Sequence, residues 1–191
     1  DVTLRYMRVT LWSSHMMPHP GAACPWWWVL IDQKDAYGQF AALAKFAEGE
    51  DRRGKNYVSR DASVQDTSDA EARQRRLRIE CLGNEQRAFC WVYNSVAFSQ
   101  QSHWSAPPAG GATVTVPGLE DGKYTVEVWD TLEGKVLTSL DAESKGEKLE
   151  FELPEFTTDV ACKVIQQSKP RAQPRRADER RPDATDHALP D

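Results

Sequence analysis

No two of the four cysteines, Cys24, Cys81, Cys90 and Cys162, stand in a CxxC arrangement, which removes zinc ribbons and thioredoxin-like redox motifs from consideration. No apolar run approaches the roughly 20 residues that a membrane-spanning helix requires. An excess of basic charge is lacking as well. The 24 Lys and Arg are outnumbered by 29 Asp and Glu, for a formal net charge of -5, so the basic, aromatic-studded face of a nucleic-acid binder is not expected. There is no GxSxG elbow, no Walker or Rossmann glycine pattern and no HExxH pair, which leaves serine hydrolases, nucleotide enzymes and zinc proteases without their signatures. The opening DVTLRYMRVTLW has no basic stretch leading into an apolar core, as a secretory leader would. Asp1 stands where an initiator methionine would be, and the expectation is a processed or excised piece of a longer chain.

What the sequence has is two regimes. Over residues 1–51 the pattern is helix, loop, strand, helix. Leu4, Met7 and Leu11 recur at helical spacing, and Val9 and Trp12 widen that apolar face. Pro18, Pro20 and Gly21 end the helix, because proline removes a donor and constrains the residue before it. PWWWVLI follows with hardly a polar interruption and reads as a strand buried on both faces. Asp35 is placed to cap the next helix, in which Tyr37, Phe40, Leu43, Ala44 and Phe46 share a stripe and Gly49 makes the stop. One strand between two helices leaves its edges open, so this piece needs partner strands.

Residues 52–75 are polar and charged, with a short strand expected over Tyr57–Val64. From Leu77 the period changes to two. RLRIECL, QRAFCWVYN, ATVTVPG, KYTVEVWD, GKVLTSL, EKLEFELP and DVACKVI are short alternating runs separated by turn formers such as Gly83-Asn84 and Asp121-Gly122, the spacing of an antiparallel β-sandwich over 76–166. Leu149, Phe151 and Leu153 are expected to face inward together, as are Tyr124, Val126 and Val128. Cys90 and Cys162 fall in such runs and read as buried thiols packed as small hydrophobes, with a disulfide as the alternative. Residues 167–191 are rich in Pro, Arg and Asp, with almost nothing large and apolar to offset their ordering entropy, and are expected to be disordered.

Several of these stretches together carry a family likeness. LWSSHMMPHPGAACPWWWVLIDQKDAYGQFAALAKFAEGEDRRGKNY, WVYNSVAFS, VPGLEDGKYTVEVWDTLEGKVL and LPEFTTDVACKVI resemble the C-terminal end of a cellulase-like glycoside hydrolase of the (β/α)8-barrel clan, over roughly residues 1–166. The resemblance implies a mostly β chain: an immunoglobulin-like antiparallel β-sandwich preceded by an α-β-α fragment of a (β/α)8 barrel, with PWWWVLI as strand eight. It further implies an extracellular or periplasmic location, an oligo- or polysaccharide as ligand, an upstream barrel portion as partner, and no cofactor. A related sandwich module is known as a collagen-binding domain, so a non-catalytic module binding polysaccharide or a matrix protein such as collagen is the alternative.

Under the resemblance, Trp26 and Trp28 share one face of a barrel strand and Trp27 takes the other. Trp28 lies nearest the mouth, where this fold keeps its sites. There it is either a platform for a sugar ring, with Asp32 as a polar partner, or barrel filler. His19, on the SHMMPHPGAAC loop, would reach substrate from the rim, and Trp104, in QQSHWSAPPAGG, would either bind carbohydrate or pack between domains. Glycosidases need two carboxyl groups, and the resemblance places both upstream of Asp1. None of Asp32, Asp35, Glu48, Glu50 and Asp51 is assigned catalysis, and Glu50 and Asp51 read as solvated charges near Arg52 and Arg53. His15 and His19, four apart with Cys24 nearby, have a zinc-like spacing, but Pro18 falls between them and no metal is assigned.

Overall fold

The computed structural model describes residues 2–19, 21–23, 26–66, 76–98 and 108–167. The tail from Ser168, the loop holding Trp104, Cys24 and residues 67–75 lie outside the described residues. Three helices, α1 (Val2–His15), α2 (Trp28–Gln33) and α3 (Tyr37–Ala47), precede nine strands. These are β1 (Val58–Ser59), β2 (Ser63–Asp66), β3 (Leu77–Gly83), β4 (Arg87–Asn94), β5 (Ala112–Pro117), β6 (Gly122–Asp130), β7 (Lys135–Ser144), β8 (Lys148–Glu152) and β9 (Asp159–Gln166).

The fold is mostly β, as the alternation implies, and each of the seven alternating runs forms a strand, β3 to β9. The strands make one sheet rather than two stacked ones. Its order is β1-β3-β4-β9-β6-β7-β8-β5-β2, antiparallel throughout. The outermost strands β1 and β2 are joined by only residues 60–62. The sheet must therefore curl until its two edges nearly meet, and the right-handed twist of strands provides the sense of that curl. The expected strand over 57–64 is thus two short edge pieces at opposite ends of the sheet.

Inside the curl lies a core of Val114 and Val116 from β5, Tyr124, Val126 and Val128 from β6, Leu149 and Phe151 from β8, and Cys81, Cys90, Val92, Cys162 and Val164 from β3, β4 and β9. Leu153 joins it, so both inward-facing sets fall where the period of two puts them. The thiols of Cys81, Cys90 and Cys162 are free and buried. β9 is buried on both faces, because a second core covers the outside of the sheet. Phe89 and Trp91 of β4 and Ala161 of β9 pack there against Met7, Leu11 and Trp12 of α1, Met16, Ile31 of α2, and Leu43 and Phe46 of α3. Trp91 and Trp129 flank Ala161 across three adjacent strands, and that small residue leaves room for the helices to approach.

Polar groups staple this helix–sheet interface. Arg8 on α1 lies 3.2 Å from the Asp159 carboxylate and donates to Thr131 Oγ1 at 2.7 Å, while Trp91 Nε1 donates to the other Asp159 oxygen at 2.9 Å. At the far end Glu50 Oε1 lies between Arg87 Nη2, at 2.5 Å, and Lys163 Nζ, at 3.1 Å. The Lys163 ammonium also sits over the rings of Trp129 and Phe46, 4.7 and 5.2 Å from their centroids. A buried charge costs little only when it is paired in this way. Glu50 is thus a buried anchor rather than a solvated charge.

Two further expectations are corrected. Among the described residues of 1–51 there are three helices and no strand, and Trp28 to Ile31 are helical, so no barrel strand eight forms. A short continuous apolar run, even one bounded by turn formers, does not distinguish strand from helix by periodicity alone. Asp35 does not cap α3: it has φ 47°, the N-cap is Ala36, and no side chain caps that end. Gly49, with φ +76°, does stand in the left-handed conformation just past the helix.

Candidate functional site

The tryptophan row leads into α2. That helix is six residues long, too short to be stable alone, and Ile31 is its one buried residue. The side chains of the row and of Val29 stand largely in solvent. Trp26 is 81 % exposed, Trp28 58 %, Val29 56 % and Trp27 41 %. The rings of Trp26 and Trp28 meet edge to face, with centroids 4.6 Å apart and planes at 76°, an arrangement favoured by the ring quadrupoles. Together with Trp27, Val29, Leu30 and Gln33 they line an open hollow of about 300 Å³.

One turn after Trp28, Asp32 lies on the same side of the helix. Its Oδ1 accepts a hydrogen bond from the Tyr37 hydroxyl at 3.1 Å, and that bond raises the phenol above its usual range, since ionised tyrosine could no longer donate. The exposed patch therefore combines apolar ring faces with a carboxylate fixed at one edge.

Of the five binding residues read from the sequence, the structure puts Trp26 and Trp28 in contact; Asp32 follows one turn after Trp28 and is not among the residues lining the hollow. His19 lines a different groove, of about 570 Å³, with Met17, Glu50, Arg52, Arg53 and Tyr57. Trp104 lies outside the described residues. Sequence reasoning missed Tyr37 as a partner of Asp32, having placed it on the buried stripe of α3, where it is instead 53 % exposed. It also missed the groove, in which Arg52 donates to the His15 carbonyl at 2.7 Å and Arg53 grips Asp51 through two nitrogens, at 2.8 and 3.0 Å. That grip holds the Asp51 carboxyl down at about 2. The acids in or beside these two sites are accordingly tied: Asp32 to a phenol, Asp51 to a guanidinium and Glu50 to two cations. Among the described residues, no three His, Cys, Asp or Glu side chains are grouped to hold a metal ion, and no helix is long and apolar enough to cross a membrane.

No protein-family model matches the chain, and no curated protein matches it. Among solved structures it is similar to the alpha-L-fucosidase isoenzyme 2 from Paenibacillus thiaminolyticus, with a TM-score of 0.36 and 11 % identity. That likeness covers 73 % of this chain and 18 % of the fucosidase. At such a TM-score it carries no argument about fold or chemistry.

Proposed function

We propose that this chain is a non-catalytic, C-terminal portion of a carbohydrate-active protein, in which the Trp26–Trp28 patch is a wall that binds an oligo- or polysaccharide. The observation that carries the reading is the pair of exposed indoles meeting edge to face beside the Asp32–Tyr37 hydrogen bond. A pyranose has an apolar face of axial C–H groups and a rim of hydroxyls. The first stacks on an indole and the second donates to a carboxylate, so this patch matches both halves of the ligand. Contiguous exposed apolar surface of this kind marks an interaction site. A wall rather than a hydrolytic centre is favoured because no residue lining the hollow carries a carboxyl group, whereas cleavage needs a pair of them across the scissile bond. The resemblance of the sequence to the C-terminal end of cellulase-like glycoside hydrolases, the part that follows their catalytic carboxylates, points the same way.

Affinity electrophoresis of the chain through gels containing soluble β-glucans, xylans and mannans tests the proposal, with tryptophan fluorescence titration for any glycan that retards it. A saturable shift is expected for at least one glycan. Trp26→Ala/Trp28→Ala, with an unchanged circular dichroism spectrum, is expected to weaken binding by about 2 kcal/mol, roughly thirtyfold, as for a central aromatic anchor. Retention of full affinity by the double variant, or no retardation by any glycan, overturns it.

A further inference from the structure

Three of the four cysteines form a row across three neighbouring strands. Cys81 of β3 stands directly opposite Cys90 of β4, and Cys90 opposite Cys162 of β9, all turned to the inner core. Within the row, the Cys90 thiol donates to Cys81 Sγ at 3.4 Å. Directly opposed residues of an antiparallel pair hold their Cα atoms about 4.5 or 5.5 Å apart, and both values fall within the roughly 4.4–6.8 Å that a disulfide spans. Closing the bond asks for rotation of two side chains and a slight approach of the strands, from about 4.5–5.5 Å between opposed Cβ atoms to the roughly 3.5–4.5 Å of a disulfide.

Access differs along the row. Cys81 lines a surface hollow of about 420 Å³ with Met16, Met17, His19, Arg60 and Glu80, whereas Cys90 and Cys162 are fully buried. Of the three, Cys81 alone keeps any exposure, 4 %, and Cys90 Sγ lies 3.4 Å from its sulfur.

We propose that Cys81 and Cys90 are a dithiol that a small disulfide, such as glutathione disulfide, converts into a cross-strand disulfide, with Cys162 left as a thiol. In the first step the Cys81 thiol loses its proton and attacks one sulfur of glutathione disulfide. The S–S bond breaks, one glutathione leaves as thiolate, and Cys81 carries the other. In the second step the Cys90 thiol loses its proton and attacks Cys81 Sγ, displacing the second glutathione. Two protein thiols are oxidised, one disulfide is reduced to two thiols, and the two protons go to the two departing glutathiones. The hydrogen bond to Cys81, and then burial, hold Cys90 in its thiol form, so exchange in the folded chain is slow and is complete sooner when the chain folds in the presence of the disulfide.

The test is refolding of the reduced full chain in a glutathione/glutathione disulfide buffer, then alkylation under denaturing conditions, tryptic digestion and mass spectrometry without reduction. Cleavage after Arg78, Arg87 and Lys123 separates Cys81 from Cys90. The expected result is residues 79–87 linked to residues 88–123, with Cys162 alkylated. Cys90→Ala is expected to stop at a glutathione adduct on Cys81, and Cys162→Ala to keep the linkage. Alkylation of both Cys81 and Cys90 in the refolded wild-type chain, or a linkage of either to Cys162 or Cys24, overturns the proposal.

Discussion

His15, at the end of α1, shows what a single buried titratable residue does to the molecule. Its ring lies edge-on to Phe46 and Phe89, 5.9 and 6.5 Å from their centroids, and the Arg52 guanidinium stands 3.5 Å from its Nδ1. Burial, and then the charges of Arg52, Lys163 and His19, lower its pKa from 6.5 to about 4. Between those two values the unfolded chain binds the proton and the folded chain does not. Stability must therefore fall as the pH falls from about 6.5 to about 4. Below that window the loss from this residue is roughly 3 kcal/mol, because each tenfold difference in proton affinity between the two states is worth about 1.4 kcal/mol. Replacing His15 by Phe, which keeps an aromatic ring beside Phe46 and Phe89, is expected to flatten that part of the profile. Urea unfolding of both proteins at intervals between pH 4 and 7 measures it, and parallel profiles would refute the assignment. The neighbouring Glu50 shows why such residues are hard to read from sequence. The letters around it display Arg52 and Arg53, which read as its partners, while Arg87 and Lys163 come from strands far along the chain. The available signal was the lysine within DVACKVI: a charge in the middle of a buried strand needs a buried countercharge.

At the scale of elements, alternation together with the turn formers between the runs was enough to find β3 to β9, including β9, which is buried on both faces. The same signal failed for PWWWVLI, a continuous apolar run with no period to read, in which Ile31 is the one residue of α2 that is buried. The docking of elements was not legible either, and two predictions address it. Glu50→Gln removes the anion shared by Arg87 and Lys163 and leaves Lys163, 5 % exposed, without a counterion. A loss of about 3–5 kcal/mol is expected in denaturant unfolding, and a loss below about 1 kcal/mol would mean that the staple is not needed. The second concerns the turn between β6 and β7, held against α3 by Lys45 Nζ donating to the Glu133 carbonyl at 3.1 Å. Gly134 has φ +62°, and a Cβ there would come 2.7 Å from the Ala42 backbone, whereas Gly146, with φ +60°, has open space around it. Both alanine variants suffer the left-handed backbone cost of about 1–2 kcal/mol. Only Gly134→Ala also pushes the turn off α3, so its unfolding midpoint is expected to fall clearly below that of Gly146→Ala, and equal midpoints would contradict the close approach.

For the whole molecule, the change of composition at residue 52 marks where the helices end, yet packing runs straight across it. Composition registers loops, which are polar because they are exposed; it does not register which surfaces share a core. Phe89, Trp91 and Ala161 are fully buried because α1, α2 and α3 cover them, and residues 1–51 also supply Arg8 to Asp159 and Glu50 to Lys163. A chain beginning at residue 52 would uncover those faces of Phe89 and Trp91 that Tyr57, Tyr93 and Phe98 do not cover, up to a few hundred Å² of aromatic surface, around a carboxylate and an ammonium that have both lost their ion-pair partners. Exposed apolar area of that size is what folded monomers avoid. Residues 52–167 alone are therefore expected to self-associate in size-exclusion chromatography and to bind a hydrophobic dye, while the full chain does neither to the same degree. If the shortened chain instead elutes as a monomer with the unfolding midpoint of the full chain, the helices are passengers on the sheet, and the buried ion pairs that join them contribute nothing to holding it together.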